Sequence, residues 1–310
     1  MTEAVEDYRS ELLVHCYRML GSVDDAEDVV QETMLRAWRA DYDPERASRR
    51  TWLYRIATNA CLTALRGRAR RPLPSGLGAP SDDPSAPLNP ALDLPWLRPF
   101  PDALLPEEVV VRRGSLRLAF VAAMQVLPPK QRAVLILREV LEFPAAEVAD
   151  LLDTSVPAVN SALQRARTAL SALGEGMVEE PSDATVRATV DRYVRAFEVA
   201  DVDGLVRLLT ADAVMEMPPV PLWYRGRADY AAFMRRVYAM NGEAWRVVRL
   251  AANTQPAFAA YVRSDEAFTL HTLQVLTVST DGAITRNVVF RDPVVFADFA
   301  LPPVLDLNQR

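Results

Sequence analysis

The sequence predicts a multi-domain chain, with two all-α units followed by an α+β unit. Three observations predict it. Over residues 3–71, and again over 115–173, apolar residues recur every three or four positions, the period of a helix with one buried face. Between these stretches, residues 72–112 are acidic and rich in proline. Beyond residue 183 the helical period gives way to alternating strands, and Asp281-Gly282 supplies a two-residue hairpin turn. A chain of 310 residues is expected to form two or three domains, and with 50% hydrophobic residues each can bury a core. No apolar run is long enough to span a membrane, and the N-terminus is charged, unlike a signal peptide. Cys16, Cys61, His15 and His271 show no zinc-ligand spacing, so no metal is expected. The cysteines read as small buried thiols in a reducing cytosol. A net charge of −6 does not suggest a general nucleic-acid binder, but basic and acidic segments alternate along the chain.

Residues 3–20 read as a helix with Val5, Tyr8, Leu12, Cys16 and Met19 on one stripe, ended by Gly21. Ser22, with Asp25 three residues on, has the form of a capping box opening a second helix. In that helix Ala26, Val29, Val30, Thr33 and Ala37 face a core, while Asp24, Asp25, Glu27, Asp28, Gln31 and Glu32 cover its start and outer side. After the loop DYDPERASRR, a third helix over Thr51–Arg66 buries Leu53, Ile56, Ala57, Ala60 and Ala64. Eight arginines (46, 49, 50, 55, 66, 68, 70 and 71) fall here, with no acid between Arg46 and Arg71. This basic face, carrying Trp52, Tyr54, Thr58 and Asn59, suits a nucleic-acid backbone with exposed bases. Trp52 and Tyr54 suit a core equally well. The acidic face suits a basic protein partner; the plainer alternative is a bundle with solvated charges.

DDAEDVVQETMLRAW and TWLYRIATNACLTALR resemble the polymerase- and promoter-binding domain of the sigma-70 family, in its extracytoplasmic-function (ECF) group. The resemblance implies a sigma domain over 1–71. It would meet core RNA polymerase through Asp24, Asp25, Glu27, Asp28, Gln31, Glu32, Arg36 and Trp38. It would meet the promoter −10 element through Arg46, Arg49, Arg50, Thr51, Trp52, Arg55, Thr58, Asn59 and Arg66, with the arginine loop helping to hold a flipped base.

Residues 72–112 carry ten of the chain's 23 prolines. Within residues 72–111, Asp82, Asp83, Asp93, Asp102, Glu107 and Glu108 face the single cation Arg98. This composition reads as an extended linker largely without a core of its own. In the family such a linker threads the RNA exit path, where acidity would imitate RNA; a solubilising spacer is the alternative. Trp96 and Phe100 are expected to dock somewhere, the chain's own C-terminal domain being one candidate.

Residues 113–173 hold the second helical unit. Pro129 opens a helix through PKQRAVLILREVL. A helix from Pro144 buries Val148, Leu151 and Leu152, Asp153-Thr154 makes a turn, and a last helix buries Val156, Val159, Leu163, Ala166 and Leu170. Its opposite side carries Pro157, Asn160, Ser161, Gln164 and Thr168, flanked by Arg165 and Arg167, the short polar groups and cations a major-groove reader needs. This resembles the −35-binding helix-turn-helix of the same family, with Asp153 where glycine is common. Asp tolerates the left-handed conformation better than most residues. The −35 contacts implied are Pro157, Asn160, Ser161, Gln164, Arg165 and Arg167.

Gly174–Pro181 reads as a short linker. Residues 183–303 then pass from helices to a curved antiparallel sheet, in the order helix 183–200, short helix 203–209, strand AVMEMPPV, helix ADYAAFMRRVYAM, and strands WRVVRLAANTQ, AFAAYVRS, AFTLHTLQVLTVS and AITRNVVFRD. VMEMPPVPLWYRGRADYAAFM and this order resemble the SnoaL-like branch of the nuclear-transport-factor-two-like fold, a cone with a pocket. A hairpin pairing Thr280 with Ala283 sets Val275 opposite Val288, Leu273 opposite Phe290 and His271 opposite Asp292, on one face. His271 is then either half of an acid–base dyad or a satisfied structural histidine. Asp212 and Glu216 are candidate pocket acids. Met215, Met217, Trp223 and Tyr224 either line the pocket or fill the core, so Glu216, Trp223 and His271 are the candidate pocket residues.

The expectation is a non-catalytic, cytoplasmic sigma factor without cofactor. It would bind core RNA polymerase and promoter DNA, with the C-terminal domain regulating it. A separate anti-sigma protein and a small ligand in the cone are further candidate partners. Two rivals remain: a helix-turn-helix regulator that recruits no polymerase, and a C-terminal cyclase or isomerase.

Overall fold

The structure, a computed structural model, describes residues 3–106, 114–173, 181–264 and 267–306. The acids Glu107 and Glu108 and the linker segment Gly174–Glu180 lie outside these. The chain divides into two compact units, Met1–Arg71 with Leu97–Val178, and Pro72–Trp96 with Glu179–Arg310.

In the first unit α1 (Glu3–Glu6) and α2 (Arg9–Leu20) lead to Gly21. Gly21 has φ +72, and a Cβ there would lie 2.8 Å from Leu97 Cδ1, so glycine is required both by conformation and by space. α3 (Val23–Arg39) starts where Ser22 Oγ accepts the Asp25 N–H at 3.4 Å. Its Ala26, Val29, Val30, Thr33 and Ala37 are all buried, as their spacing requires. α4 (Arg49–Ala64) starts two residues earlier than expected, because Ser48 caps it by accepting the Thr51 N–H. Its buried side is rotated toward Leu53, Tyr54, Ala57, Thr58, Ala60 and Cys61, leaving Ile56 and Ala64 only half-buried.

α5 (Leu118–Val126) and α6 (Pro129–Leu135) follow, and α6 continues as a wider π turn over Ile136–Val140 in place of the expected uninterrupted helix. Leu141 N–H bonds Ile136 O at 2.9 Å, and Glu142 turns the chain out at φ 56. α7 (Ala145–Leu151) and α8 (Val156–Ala172) form the helix-turn-helix. Asp153 takes φ 48, the left-handed conformation expected of the turn. Val156, expected in the buried stripe, instead occupies the first turn after the Ser155 cap and is 38% exposed. Arg132 on α6 is buried and engaged mostly by carbonyls: it donates to Met19 O and to Gln125 Oε1, Gln125 O and Leu127 O. Burial lowers its pKa to about 10.

The second unit contains α9 (Asp183–Glu198), α10 (Val202–Arg207), β1 (Leu209–Glu216), β2 (Trp223–Arg225), α11 (Arg227–Asn241), β3 (Trp245–Ala252), β4 (Gln255–Arg263), β5 (Ala267–Val278), β6 (Ile284–Phe290), α12 (Pro293–Asp298) and β7 (Val304–Asp306). The strands form one sheet in the order β2-β1-β6-β5-β4-β3, with β7 on β5. The sheet is mixed, not wholly antiparallel as expected, because β1 runs parallel to β6. Asn253 and Thr254 both take positive φ, the conformation of a tight hairpin turn, so the expected strand 245–255 ends at Ala252. One face of the sheet packs on α9, α10 and α11 through Phe197, Leu205, Met215, Tyr230, Phe258 and Leu276. On the other face Ala259, Tyr261, Phe268 and Leu305 form a smaller cluster.

The proline-rich segment is not a free linker. Pro72–Trp96 belongs to the C-terminal unit. Its backbone is tied there by Ser81 N–H to Trp223 O (2.8 Å) and Ala91 N–H to Pro219 O (2.9 Å). Trp223 Nε1 donates to Gly78 O (3.0 Å), Tyr224 OH to Asp83 O (3.2 Å), and Arg236 to Pro84 O and Ala86 O (2.8 and 2.7 Å). The segment docks this way because the domain supplies donors for carbonyls that proline leaves unpaired, and its Leu88 packs against the domain's core. From Leu97 on, the segment belongs to the first unit, where Phe100 packs on Tyr17 with ring centroids 4.9 Å apart.

Candidate functional site

α3 presents the expected acidic face. Glu27, Asp28, Gln31 and Glu32 are exposed, with Glu32 held by Arg36 at 2.7 Å. Asp24 and Asp25 are engaged within the unit: Asp24 pairs with Arg98 (2.5 Å), and Asp25 with Arg68 (3.0 Å) and Arg71 (2.6 Å). Arg98, from the proline-rich segment, therefore neutralises the first acid of α3. Trp38 is 68% exposed and Leu35 41%. Both large apolar side chains stand exposed on the same helix as these acids. A groove of about 320 Å³ runs beside them, lined by Met34, Trp38, Tyr42, Arg49 and Trp52 among others. Tyr42 and Trp52 lie 5.2 Å apart, and the Arg49 guanidinium stands over the Tyr42 ring at 5.1 Å.

The basic face of α4 is only partly as expected. Arg46 and Arg66 are exposed and Asn59 half-buried. Thr58 is wholly buried: its Oγ1 meets His15 Nε2 at 2.9 Å, so Thr58 faces the core and not DNA. Tyr54 is also core. Three expected DNA-facing groups contact residues 143–153 in this structure. Thr51 Oγ1 donates to Glu147 (3.1 Å), Arg55 pairs with Asp153 (2.8 Å), and Arg50 stacks over Phe143 at 4.9 Å while bonding Glu11 at 3.1 Å. On α8 every expected reader is exposed: Pro157, Asn160, Ser161, Gln164, Arg165 and Arg167. Arg167 also bonds Glu139 at 2.6 Å.

In the C-terminal unit a cavity of about 280 Å³ opens on the helix-covered face of the sheet. Of the three candidate pocket residues only His271 lines it. Trp223 is held by the Gly78 carbonyl, and Glu216 is fully buried in β1, accepting from Ser75 N–H (3.2 Å) and Oγ (3.0 Å) and pairing with Arg286. Asp212 is exposed. The register placing Leu273 opposite Phe290 and Val275 opposite Val288 holds, but no His271–Asp292 dyad forms. Asp292 caps α12 by accepting the Val294 N–H. Pairing of β4 with β5 jumps from Ala260↔Thr272 to Tyr261↔Leu270, so His271 is the extra residue of a bulge. The bulge turns it toward the cavity, together with Thr272 and Gln274. Its ring packs edge-on against Trp245 at 5.2 Å. Burial and the nearby Arg291 lower its pKa to about 4. Behind it Asn287 donates to Tyr193, Tyr230 and Gln274, a neutral network in which burial raises Tyr230 to about 12. Among the described residues no cluster of His, Cys, Asp or Glu could hold a metal, and no helix is long and apolar enough to cross a membrane.

Comparison with known proteins accounts for this arrangement. Sigma-70 region 2 matches residues 4–71, Sigma-70 region 4 residues 117–170, and the SnoaL-like domain residues 190–287. The ECF RNA polymerase sigma factor SigG of Mycobacterium tuberculosis is 48% identical, over 97% of this chain and 83% of its own. The chain belongs to the ECF RNA polymerase sigma factors. Two further sigma factors align over part of this one: SigJ of M. tuberculosis at 33% over 67% of this chain and 61% of its own, and SigW of Bacillus subtilis at 34% over 54% and 85%. The crystal structure of SigJ superposes with a TM-score of 0.69 at 24% identity, covering 97% of this sigma factor and all of that chain, and so shares its fold. The relatives are sigma factors, not enzymes, and the SnoaL-like domain here carries no dyad between His271 and Asp292.

Proposed function

We propose that this sigma factor is regulated by its own C-terminal unit, through the proline-rich segment that the unit holds. As an ECF RNA polymerase sigma factor it binds core RNA polymerase and directs initiation at specific promoters, working in the cytoplasm where that enzyme is. The acidic face of α3 with Leu35 and Trp38 meets the polymerase, Asp24 and Asp25 joining once Arg98, Arg68 and Arg71 release them. The groove of Tyr42, Arg49 and Trp52 takes an unstacked base of the −10 element, with Arg46, Arg50, Thr51, Arg55, Asn59 and Arg66 around it. The exposed side of α8 reads the −35 element. A separate anti-sigma protein would have to compete for these same surfaces.

Geometry supports a closed state. The two promoter elements are separate stretches of a duplex that rises about 3.4 Å per base pair, yet Arg55 on the −10 helix touches Asp153 in the −35 module at 2.8 Å. The two modules must separate before both elements are held. The observation that carries the regulatory reading is the division of the linker, with Pro72–Trp96 docked on the C-terminal unit and Leu97 onward on the first. A linker held at both ends cannot extend. The double variant Ser75→Ala/Arg236→Ala removes three of its ties while leaving the core of the domain intact. Transcription in vitro from a cognate promoter is expected to rise several-fold. Unchanged output with unchanged polymerase affinity would remove the regulatory claim.

The recognition helix gives a second test. Gln164→Ala should cost about 1–3 kcal/mol of binding to the −35 duplex and relax preference at one base position. Arg165→Ala should weaken all sequences alike and lower the slope of log K against log salt by about one. Gel-shift titrations at three salt concentrations separate the two. A Gln164→Ala protein with undiminished base preference would reassign the reading face.

A further inference from the structure

The cavity of the C-terminal unit has a one-sided chemistry. Its body is apolar: Met215, Met217, Phe233 and Trp245 form its walls, from β1, α11 and β3. Four methionines line it, counting Met234 and Met240, and such side chains adapt to varied shapes. Among the described residues of the lining Arg291 is the only charged one, and none is an acid. Among the described residues the Arg291 guanidinium has neither an ion pair nor a hydrogen bond, and it is exposed at the cavity's edge. Next to it, the bulge presents His271, whose buried Nε2 has no partner. An apolar body with one cation at the edge selects against amines and sugars and favours an amphipathic anion.

We propose that this cavity binds a small carboxylic acid with an apolar body, the body among Met215, Met217, Phe233 and Trp245 and the carboxylate against Arg291 and His271. The His271 ring is neutral near pH 7, since burial and Arg291 hold its pKa to about 4. It therefore adds one hydrogen-bond donor without a second charge. The volume, about 280 Å³, suits a body of roughly ten carbon atoms. Leu88 and Pro90 of the docked proline-rich segment form part of the wall. A bound acid touches them only while the segment is docked, so binding favours the docked state. This coupling rests on the regulatory reading above; the site itself does not.

The test uses the full chain and two probes, decanoate and 2-naphthoate, with decanol and decyltrimethylammonium as neutral and cationic controls. Calorimetric titration is expected to show saturable binding of at least one acid, at least about tenfold tighter than either control. Arg291→Ala, an exposed substitution, should erase that preference. Met215→Trp should fill the cavity and abolish binding, with the circular-dichroism melt showing that the variant is folded. Absence of saturable binding by both acids, or acid binding indifferent to Arg291→Ala, overturns the site. Protease cleavage within Ser81–Pro90 should slow several-fold at saturating acid. Binding with unchanged cleavage overturns the coupling alone, leaving the site standing.

Discussion

Glu216→Ala is expected to lower the melting temperature of the C-terminal unit by about 6–10 °C and to release the proline-rich segment. Glu216 is fully buried. Its carboxylate accepts from Ser75 N–H, Ser75 Oγ and the Arg286 guanidinium. A buried carboxylate is stable only when paired and hydrogen-bonded in this way. Truncation leaves the Arg286 charge without its carboxylate in a place only 21% exposed. Breaking one side of a buried pair costs about 3–5 kcal/mol, and the residual exposure of Arg286 argues for the lower figure. The same change removes the first anchor of the segment after Arg71. Faster proteolysis near Ser75 should therefore accompany the thermal effect. Ser75→Ala separates the two consequences, since it loses one hydrogen bond worth about 1 kcal/mol and leaves the ion pair. A Glu216→Ala protein that melts like the wild type would show that the pair contributes no net stability.

That anchor also marks how far the sequence could be read. The helices of the first unit are legible because a 3.6-residue period and a cap leave local marks: Ser22 before the acidic run, Pro129 at a first turn, Asp153 at a left-handed turn. The hairpin at Asp281-Gly282 is legible for the same reason, and it yields the correct register at Leu273 and Val275. Other features depend on contacts distant in sequence. Glu216 stands out as an odd acid in an apolar strand, but its partner Ser75 lies 141 residues away. The proline-rich segment looks unstructured because its own side chains hold no core; the donors that fix it belong to Trp223, Tyr224 and Arg236. The β4–β5 bulge carries no sequence mark, so strict alternation puts His271 on the wrong face. The break between β3 and β4 is legible but is read at Pro256, the stronger mark of a strand's end, and not at Asn253-Thr254, where the positive φ values place the turn. Thr58 looks like a surface polar group, and only the packing of α2 on α4 shows that it partners a buried histidine.

That histidine gives the other large effect. Between pH 7.5 and pH 5 the first unit is expected to lose about 2 kcal/mol of stability through His15 alone. His15 on α2 is fully buried, and its pKa is lowered to about 3, by burial first and then by the charges of Arg18 and Arg50. The groups around it offer little compensation. Thr58 Oγ1 meets Nε2, the Tyr54 ring packs edge-on at 5.0 Å, and Glu11 is already engaged by Arg50. In the unfolded chain the imidazole titrates near 6.5. Between these two values the unfolded state binds the extra proton, so stability rises with pH across the window and falls on acidification. The loss starts as pH drops through about 6.5 and reaches roughly 4–5 kcal/mol by pH 3, because carrying one fewer proton costs the folded state about 1.4 kcal/mol for every pH step of one. His15→Gln keeps a polar partner for Thr58 and cannot titrate. Urea midpoints at the two pH values should therefore differ much less in the variant than in the wild type. Equal losses in both proteins would assign the acid sensitivity to other groups, and the α2–α4 contact would then tolerate a charged imidazole.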